Sequence, residues 1–440
     1  MEAVKKRAAK RGGNFNNGAN CSLVALNLNN APSNTNTNIG FRGIPFADGM
    51  RDHGCVRNIR STVHHPEYPS LDAAEYKTGS GEVVGEIRTF PVQQPIMKTH
   101  ANLYPKICTF PALYRAYQRC RKGKREKEYA IAFEQDLESN LFSIRDDLVE
   151  ERWQPGPYSR FFVEDPKRRL INAPPFRDRI VHQVVSGAIL PCWLPTFIRD
   201  TYACLTERGT HVAVDRLQQF MRRHPESTGY VLQLDVKSYF ASVDHRILLS
   251  LLAKRIRDRQ MMHLIRQIVE SYEDAPGVGI PLGNLTSQGF ANIYLHELDM
   301  FAKHGLRIKQ YLRYMDDITL VHDDKAQLWE WRDEIETFLT DRLHLRLHPD
   351  KQVLTPVDCG VTYLGYRVYR DHIRVLARNV RRVYRRLRQM EAGTFEGDAR
   401  ASISSWVGYS KHADTYGLNC QIAERHPFLR VAFEPIEAKP

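Results

Sequence analysis

The run Tyr311-Leu-Arg-Tyr-Met-Asp-Asp-Ile-Thr-Leu-Val321 sets two adjacent carboxylates between apolar flanks. Two short apolar halves around such a centre predict a β-hairpin with Asp316 and Asp317 at its turn. Both side chains then enter one small volume, where a divalent cation makes their repulsion tolerable. The chemistry this suits is nucleotidyl transfer at a two-metal site, with cations roughly 3.5–4 Å apart clamping the attacking and leaving oxygens. A capped surface turn is the competing reading, since Asp is common in turns.

Two further segments bear on that choice. Val231-Leu-Gln-Leu-Asp235-Val-Lys-Ser-Tyr-Phe240 puts a third carboxylate at the end of an apolar strand. Two-metal catalysis needs one acid that bridges both cations and another that completes a shell. Asp235 and Asp316 form the natural pair, with Asp317 beside them, because adjacent strands of one sheet can join acids far apart in sequence. Alone, Asp235 reads equally as a helix N-cap. Between the two acidic segments lies Gly279-Ile-Pro-Leu-Gly283-Asn-Leu-Thr-Ser287-Gln288. Its glycines allow close backbone approach to a ligand, and Ser or Gln can bond a base pair or cap the following helix.

The 440 residues are enough for a large core and two or three lobes. A net charge of +12 points to a polyanionic partner, with nucleic acid foremost. No stretch of 18 apolar residues occurs, so neither a membrane span nor a secretory signal is expected, and the partners include no membrane. The eight Cys form no Cys-x-x-Cys pair, as suits free thiols in a reducing cytoplasm. A zinc site from His53, Cys55, His64 and His65 matches no familiar ligand spacing.

The texture divides the chain. Ten of the 25 residues from Asn14 to Asn38 are Asn, and residues 1–95 as a whole read as a poorly structured segment. Helices are expected over Phe110–Tyr117 and Tyr129–Leu148, with a basic turn at Arg119–Lys127 between them. Short strands follow at Arg160–Val163 and Arg169–Ile171, then a helix over Phe176–Ile189. Strand Gly229–Leu234, helix Val243–Lys254, helix Gln288–His304, the acidic hairpin, helix Trp329–Leu343 and strand Thr362–Tyr369 come next. That order predicts an α+β fold around a split βαβ, ferredoxin-like sheet backed by helices. A last helix is expected to begin near Ser405.

These blocks, in this order, resemble a reverse transcriptase of the group II intron-like superfamily, from about Tyr104 to about Asn419. The resemblance implies a right-hand polymerase: N-terminal helices and fingers over 96–230, a palm over 231–370, and a basic helical thumb with tail over 371–440. It implies catalysis by Asp235, Asp316 and Asp317, with Val236 joining them around two Mg²⁺ ions, for which Mn²⁺ can substitute. Lys167, Arg168 and Arg169 are then placed to meet the incoming dNTP. Lys351, in His348-Pro-Asp-Lys351, is placed to protonate pyrophosphate. Phe240 takes the position of an aromatic gate against a 2′-hydroxyl, with core packing as its alternative. Tyr363, Leu364 and Gly365 resemble the primer grip, and the exposed Arg381, Arg385 and Arg388 of an amphipathic helix suit template–primer phosphates.

Leu282-Gly283-Asn-Leu-Thr-Ser287-Gln288 most resembles the enzymes of diversity-generating retroelements, where most other reverse transcriptases have Gln first and Pro last. Leu282 cannot hydrogen-bond beside the nucleotide as Gln could, which weakens checking of the new pair; with Gly283 and Gln288 it completes the nucleotide-binding set. The subfamily implies template-repeat RNA, cDNA/RNA hybrid and dNTPs as ligands, errors at template adenines, a small basic oligomeric accessory protein, and a bacterial or phage-infected cytoplasm. The Asn-rich segment then reads as the adenine-rich template repeat translated in frame. A non-mutagenic reverse transcriptase of a group II intron or of antiviral defence, and a polymerase-derived RNA-binding protein, are the alternatives.

Overall fold

The computed structural model describes residues 98–164 and 168–429. Residues 1–95, with the template-repeat reading and the His53, Cys55, His64 and His65 grouping, lie outside the described residues, as does Lys167.

Helices lead the described chain: a single turn α1 (Tyr104–Ile107), then α2 (Phe110–Arg121), α3 (Glu128–Gln135) and α4 (Leu137–Val149). The single helix expected over Tyr129–Leu148 is two. Asp136 breaks it at φ −134° and ψ 54°, outside the helical region. Leu141, Ile144 and Leu148 keep their inward spacing past the break, which is why periodicity did not reveal it. Strands β1 (Ser159–Val163) and β2 (Arg169–Ala173) then form an antiparallel hairpin with Phe161 opposite Ile171. Helix α5 (Phe176–Trp193) buries Ile180, Val181, Val185 and Ile189.

The central sheet follows. Its pieces are β3 (Thr201–Tyr202), helix α6 (Thr210–Met221), β4 (Tyr230–Asp235), helices α7 (His245–Ala253), α8 (Arg259–Glu270) and α9 (Leu285–Met300), β5 (Tyr311–Tyr314), β6 (Asp317–His322), α10 (Lys325–Leu343) and β7 (Val353–Pro356). Strand order is β3-β5-β6-β4-β7. β6 runs antiparallel to both β4 and β5, so those two are parallel with β6 between them. This is the split βαβ arrangement. β4 lies inside the sheet, and Val231, Leu232 and Leu234 are all buried, which explains its nearly unbroken apolar run. Asp244, Asp258 and Asp324 cap α7, α8 and α10 with their carboxylates.

The strand expected over Thr362–Tyr369 is a hairpin of β8 (Val361–Tyr363) and β9 (Tyr366–Val368), extended by β10 (Ile373–Val375). Its two loop residues, Leu364 and Gly365, take φ of 44° and 94°. A two-residue loop of type I′ needs positive φ at both positions. Leu in place of the usual Asn hid the turn. Helices α11 (Ala377–Glu391), α12 (Ala399–Ser410) and α13 (Tyr416–Arg425) follow. Ser405 therefore lies in the second half of α12, which Asp398 caps seven residues earlier, and a further helix follows. No helix among the described residues is long and apolar enough to cross a membrane.

One polar cluster sits inside this apolar frame. Arg313 on β5 and Asp299 on α9 have no exposed side-chain surface and pair in a bidentate fork, with both N···O distances 2.7 Å. Tyr311 and Thr201 each donate a hydroxyl to the same carboxylate at 2.7 Å. Burial opposes the guanidinium charge, yet the Asp299 charge and hydrogen bonds outweigh it and raise the Arg313 pKa. Asp299→Ala would leave that charge buried and unpaired, so a loss of about 3–5 kcal/mol in urea unfolding is expected. A loss below about 1 kcal/mol, the level of an exposed pair, would show that water reaches the site.

Candidate active site

The β5–β6 hairpin closes with Tyr314 opposite Asp317, which leaves Met315 and Asp316 as a two-residue loop. Asp316 is thus at the turn, while Asp317 is the first residue of β6 and the ladder partner of Asp235. Met315 takes φ of 56°, a strained conformation for a residue with a side chain, and it is fully buried. Arg313 holds the turn there, donating from Nη1 to the Met315 carbonyl at 2.8 Å. The Val236 N–H donates to the Asp316 carbonyl at 3.2 Å, which ties the end of β4 to the same turn.

The charges of Asp235 and Asp316 meet. Burial, and then the Asp235 charge, push the Asp316 carboxyl up to about 7, against the opposing pull of Lys351 and Arg169. Asp316 Oδ1 is buried with no hydrogen-bond partner. Asp235 Oδ1 accepts from Lys351 Nζ at 2.7 Å, and its backbone carbonyl accepts from the His348 N–H at 2.7 Å. Such an orphaned carboxylate oxygen, on a carboxyl that feels a second carboxylate, fits a hard divalent cation. Among the described residues no three His, Cys, Asp or Glu side chains converge as a metal-binding group. An ion held here would therefore take its remaining ligands from backbone, solvent and phosphate oxygens, as Mg²⁺ commonly does.

The other expected site residues divide by position. Arg169 on β2 lies close enough for its charge to act on Asp316. Arg168 instead folds over the Phe162 ring at 4.1 Å and faces Glu164 at 3.6 Å, at the tip of the β1–β2 hairpin. Phe240 is buried, packs edge-on against Tyr239 at 5.6 Å, and accepts the Ile280 N–H on its carbonyl. The loop from Gly279 that leads into α9 at Leu285 thus starts beside it, and Gln288 lies in the first turn of that helix. Leu282, Gly283 and Gln288 are half-buried, and Gly283 has φ of 118°.

Tyr363, Leu364 and Gly365 are all buried, and Asn379 and Tyr409 both donate to the Gly365 carbonyl. That turn is packed against the C-terminal helices. Arg381, Arg385 and Arg388 are exposed along one side of α11, while Val383 and Leu387 are buried on the other.

Sequence reasoning missed Arg313, Asp299 and Thr210, whose hydroxyl lies 3.0 Å from that of Tyr314. The signal for Arg313 was present: it is the one charged residue in the apolar half Tyr311–Tyr314. Replacing Asp316 by Asn keeps the shape and removes the buried repulsion with Asp235. Asp316→Asn is expected to stabilise the metal-free protein by about 1 kcal/mol and to abolish the rise in Tm on adding Mg²⁺ or Mn²⁺. Thermal unfolding with and without the ion reads both.

Residues 164–368 match the protein family described as reverse transcriptase (RNA-dependent DNA polymerase). Protein YkfC of Escherichia coli strain K12 is 28% identical over 279 residues, covering 54% of this chain and 73% of that protein. The group II intron-encoded protein LtrA of Lactococcus lactis subsp. cremoris is 20% identical over 351 residues, covering 63% of this chain and 58% of LtrA. Among solved structures, telomerase from Candida albicans in complex with a fragment of telomeric RNA is similar at a TM-score of 0.40 and 11% identity. That match covers 52% of this chain and 47% of the telomerase chain.

Proposed function

We propose that this chain is an RNA-directed DNA polymerase of the reverse transcriptase superfamily, and that it copies a template-repeat RNA into cDNA with errors concentrated at template adenines. The observation that carries polymerisation is the pair Asp235 and Asp316, joined across β4 and the β5–β6 turn, with one buried carboxylate oxygen left unpartnered. In this reading the five-stranded sheet is the palm, the β1–β2 hairpin the fingers, and α11 to α13 the thumb.

Bound at Asp235 and Asp316, with Asp317 and the Val236 carbonyl beside them, two Mg²⁺ ions would neutralise charge at the α-phosphate and make the primer hydroxyl easier to deprotonate. The chain's own residues do the rest. Arg169 meets the triphosphate from the fingers, and Arg168 and Lys167 extend that basic tip. Lys351, freed from Asp235, gives its proton to departing pyrophosphate. Phe240 limits room at the sugar, so deoxynucleotides are preferred. The buried turn Tyr363–Gly365 sets the thumb against the palm, and Arg381, Arg385 and Arg388 hold template–primer phosphates.

Mutagenic copying, as in a diversity-generating retroelement, rests on Leu282-Gly283 and Ser287-Gln288. A Leu side chain offers no hydrogen bond with which to test the nascent pair, and loss of such a bond is what lowers discrimination most. This reading carries a small basic accessory protein and a cytoplasmic setting with it. The similarity to LtrA favours the second reading, a non-mutagenic enzyme of the intron-encoded kind.

Primer extension on a defined RNA with dNTPs and Mg²⁺, the product sequenced, separates the readings. Acid-dependent cDNA with errors at adenine is expected, and Asp235→Ala or Asp316→Ala should abolish it without unfolding the chain. Evenly accurate cDNA selects the intron-type reading, and full activity in either variant removes the metal assignment. Leu282→Gln is expected to lower adenine errors several-fold with polymerisation retained, and an unchanged error spectrum would refute the role of Leu282.

A further inference from the structure

The Gly-rich loop is fastened to the fingers by a half-buried polar relay that the catalytic reading does not use. The Asn172 N–H on β2 donates to the Leu282 carbonyl at 2.9 Å. Asn172 Nδ2 reaches the Tyr272 hydroxyl at 3.2 Å, and that hydroxyl donates to Asp274 at 2.9 Å. Two residues past Leu282, Asn284 Nδ2 donates to the Tyr158 hydroxyl at 3.0 Å, which lies 2.9 Å from Ser271 Oγ. The Tyr158 and Tyr272 rings meet edge to face at 5.8 Å, and both asparagines are 2% exposed.

Asn284 occupies the N-cap position of α9, where its side chain would ordinarily accept a backbone N–H, and it makes no such cap. Asn284 Oδ1 is instead buried without a partner, while Nδ2 crosses to the segment leading into β1. A break of a local rule with a specific long-range partner marks a position under functional constraint. β2 also carries Arg169, whose charge acts on Asp316. The strand that reaches the catalytic pair is therefore bonded to the loop that bears Leu282.

We propose that Tyr158, Asn172, Tyr272 and Asn284 are positioning residues that fix Leu282 and Gly283 against the fingers hairpin and thereby set nucleotide discrimination. This rests on the polymerase reading above and assigns its selectivity to a relay rather than to Leu282 alone. Loosening the relay moves the loop relative to the nascent pair, while the acidic turn, held by Arg313 at the Met315 carbonyl, stays in place.

Tyr158→Phe removes one hydroxyl and keeps the ring. Two measurements on the full chain test the proposal. Hydrogen–deuterium exchange without substrate is expected to speed up over residues 279–288 in Tyr158→Phe and to stay unchanged at the β5–β6 turn; equal exchange in the loop overturns the proposal. Single-nucleotide extension is expected to show the ratio of correct to incorrect incorporation shifted about 2- to 10-fold, the range one hydrogen bond can supply, with kcat for the correct nucleotide retained. An unchanged ratio, or equal losses for correct and incorrect nucleotides with a lower Tm, overturns it. In the double variant with Leu282→Gln the two effects should not multiply, and independent multiplication also overturns it. A wild type that errs evenly at all template bases removes the adenine reading and leaves this ratio readable. A wild type that makes no cDNA removes the polymerase reading, and exchange in the loop then decides the relay.

Discussion

A guanidinium and a carboxylate with no exposed surface, Arg313 and Asp299, hold the rest of the site in place. Each oxygen of Asp299 accepts twice, from Arg313 and Tyr311 on one side and from Arg313 and Thr201 on the other. The carboxylate thereby joins α9, β5 and the edge strand β3. One guanidinium nitrogen reaches on to the Met315 carbonyl and holds a turn whose φ a Met side chain disfavours. The acidic turn is set by the core beneath it. A loop held only by its own hydrogen bonds would let the two acids drift apart, as their repulsion favours.

The repulsion is the second constraint. Asp316 is buried beside Asp235, and its carboxyl is driven towards neutrality by lost solvation and by the neighbouring charge. Lys351 and Arg169 offset part of this from the loop after α10 and from β2. Segments far apart in sequence thus bring two acids and two bases to one point. Stability and chemistry oppose one another here, because the arrangement that would bind a cation is costly without one. Apolar helices around the sheet carry that cost.

Much of the fold was legible because the signals were local. The apolar run into Asp235, the acidic hairpin and the amphipathic α11 each follow from period and turn chemistry, and each appears where the pattern puts it. The failures were local as well. The break at Asp136 keeps the helical spacing on both sides, and the Leu364-Gly365 turn lacks Asn at its first position. In both, a conformation permitted by tertiary packing replaced the one the residue types favour.

The sequence by itself determined which residue types could act: two acids in a hairpin, a third at a strand end, a glycine loop between them, and basic residues around them. Pairing those acids needed the register that sets Asp235 against Asp317 and brings Asp316 to the turn above them. Partner choice was decided only in three dimensions. The charge of Arg169 acts on Asp316 while Arg168 lies over Phe162, and Asn284 makes no helix cap but donates to Tyr158. Neighbouring residues of one kind look alike in sequence. They diverge in the fold because a side chain's direction and burial, and hence the worth of its charge or hydrogen bond, are properties of what packs around it.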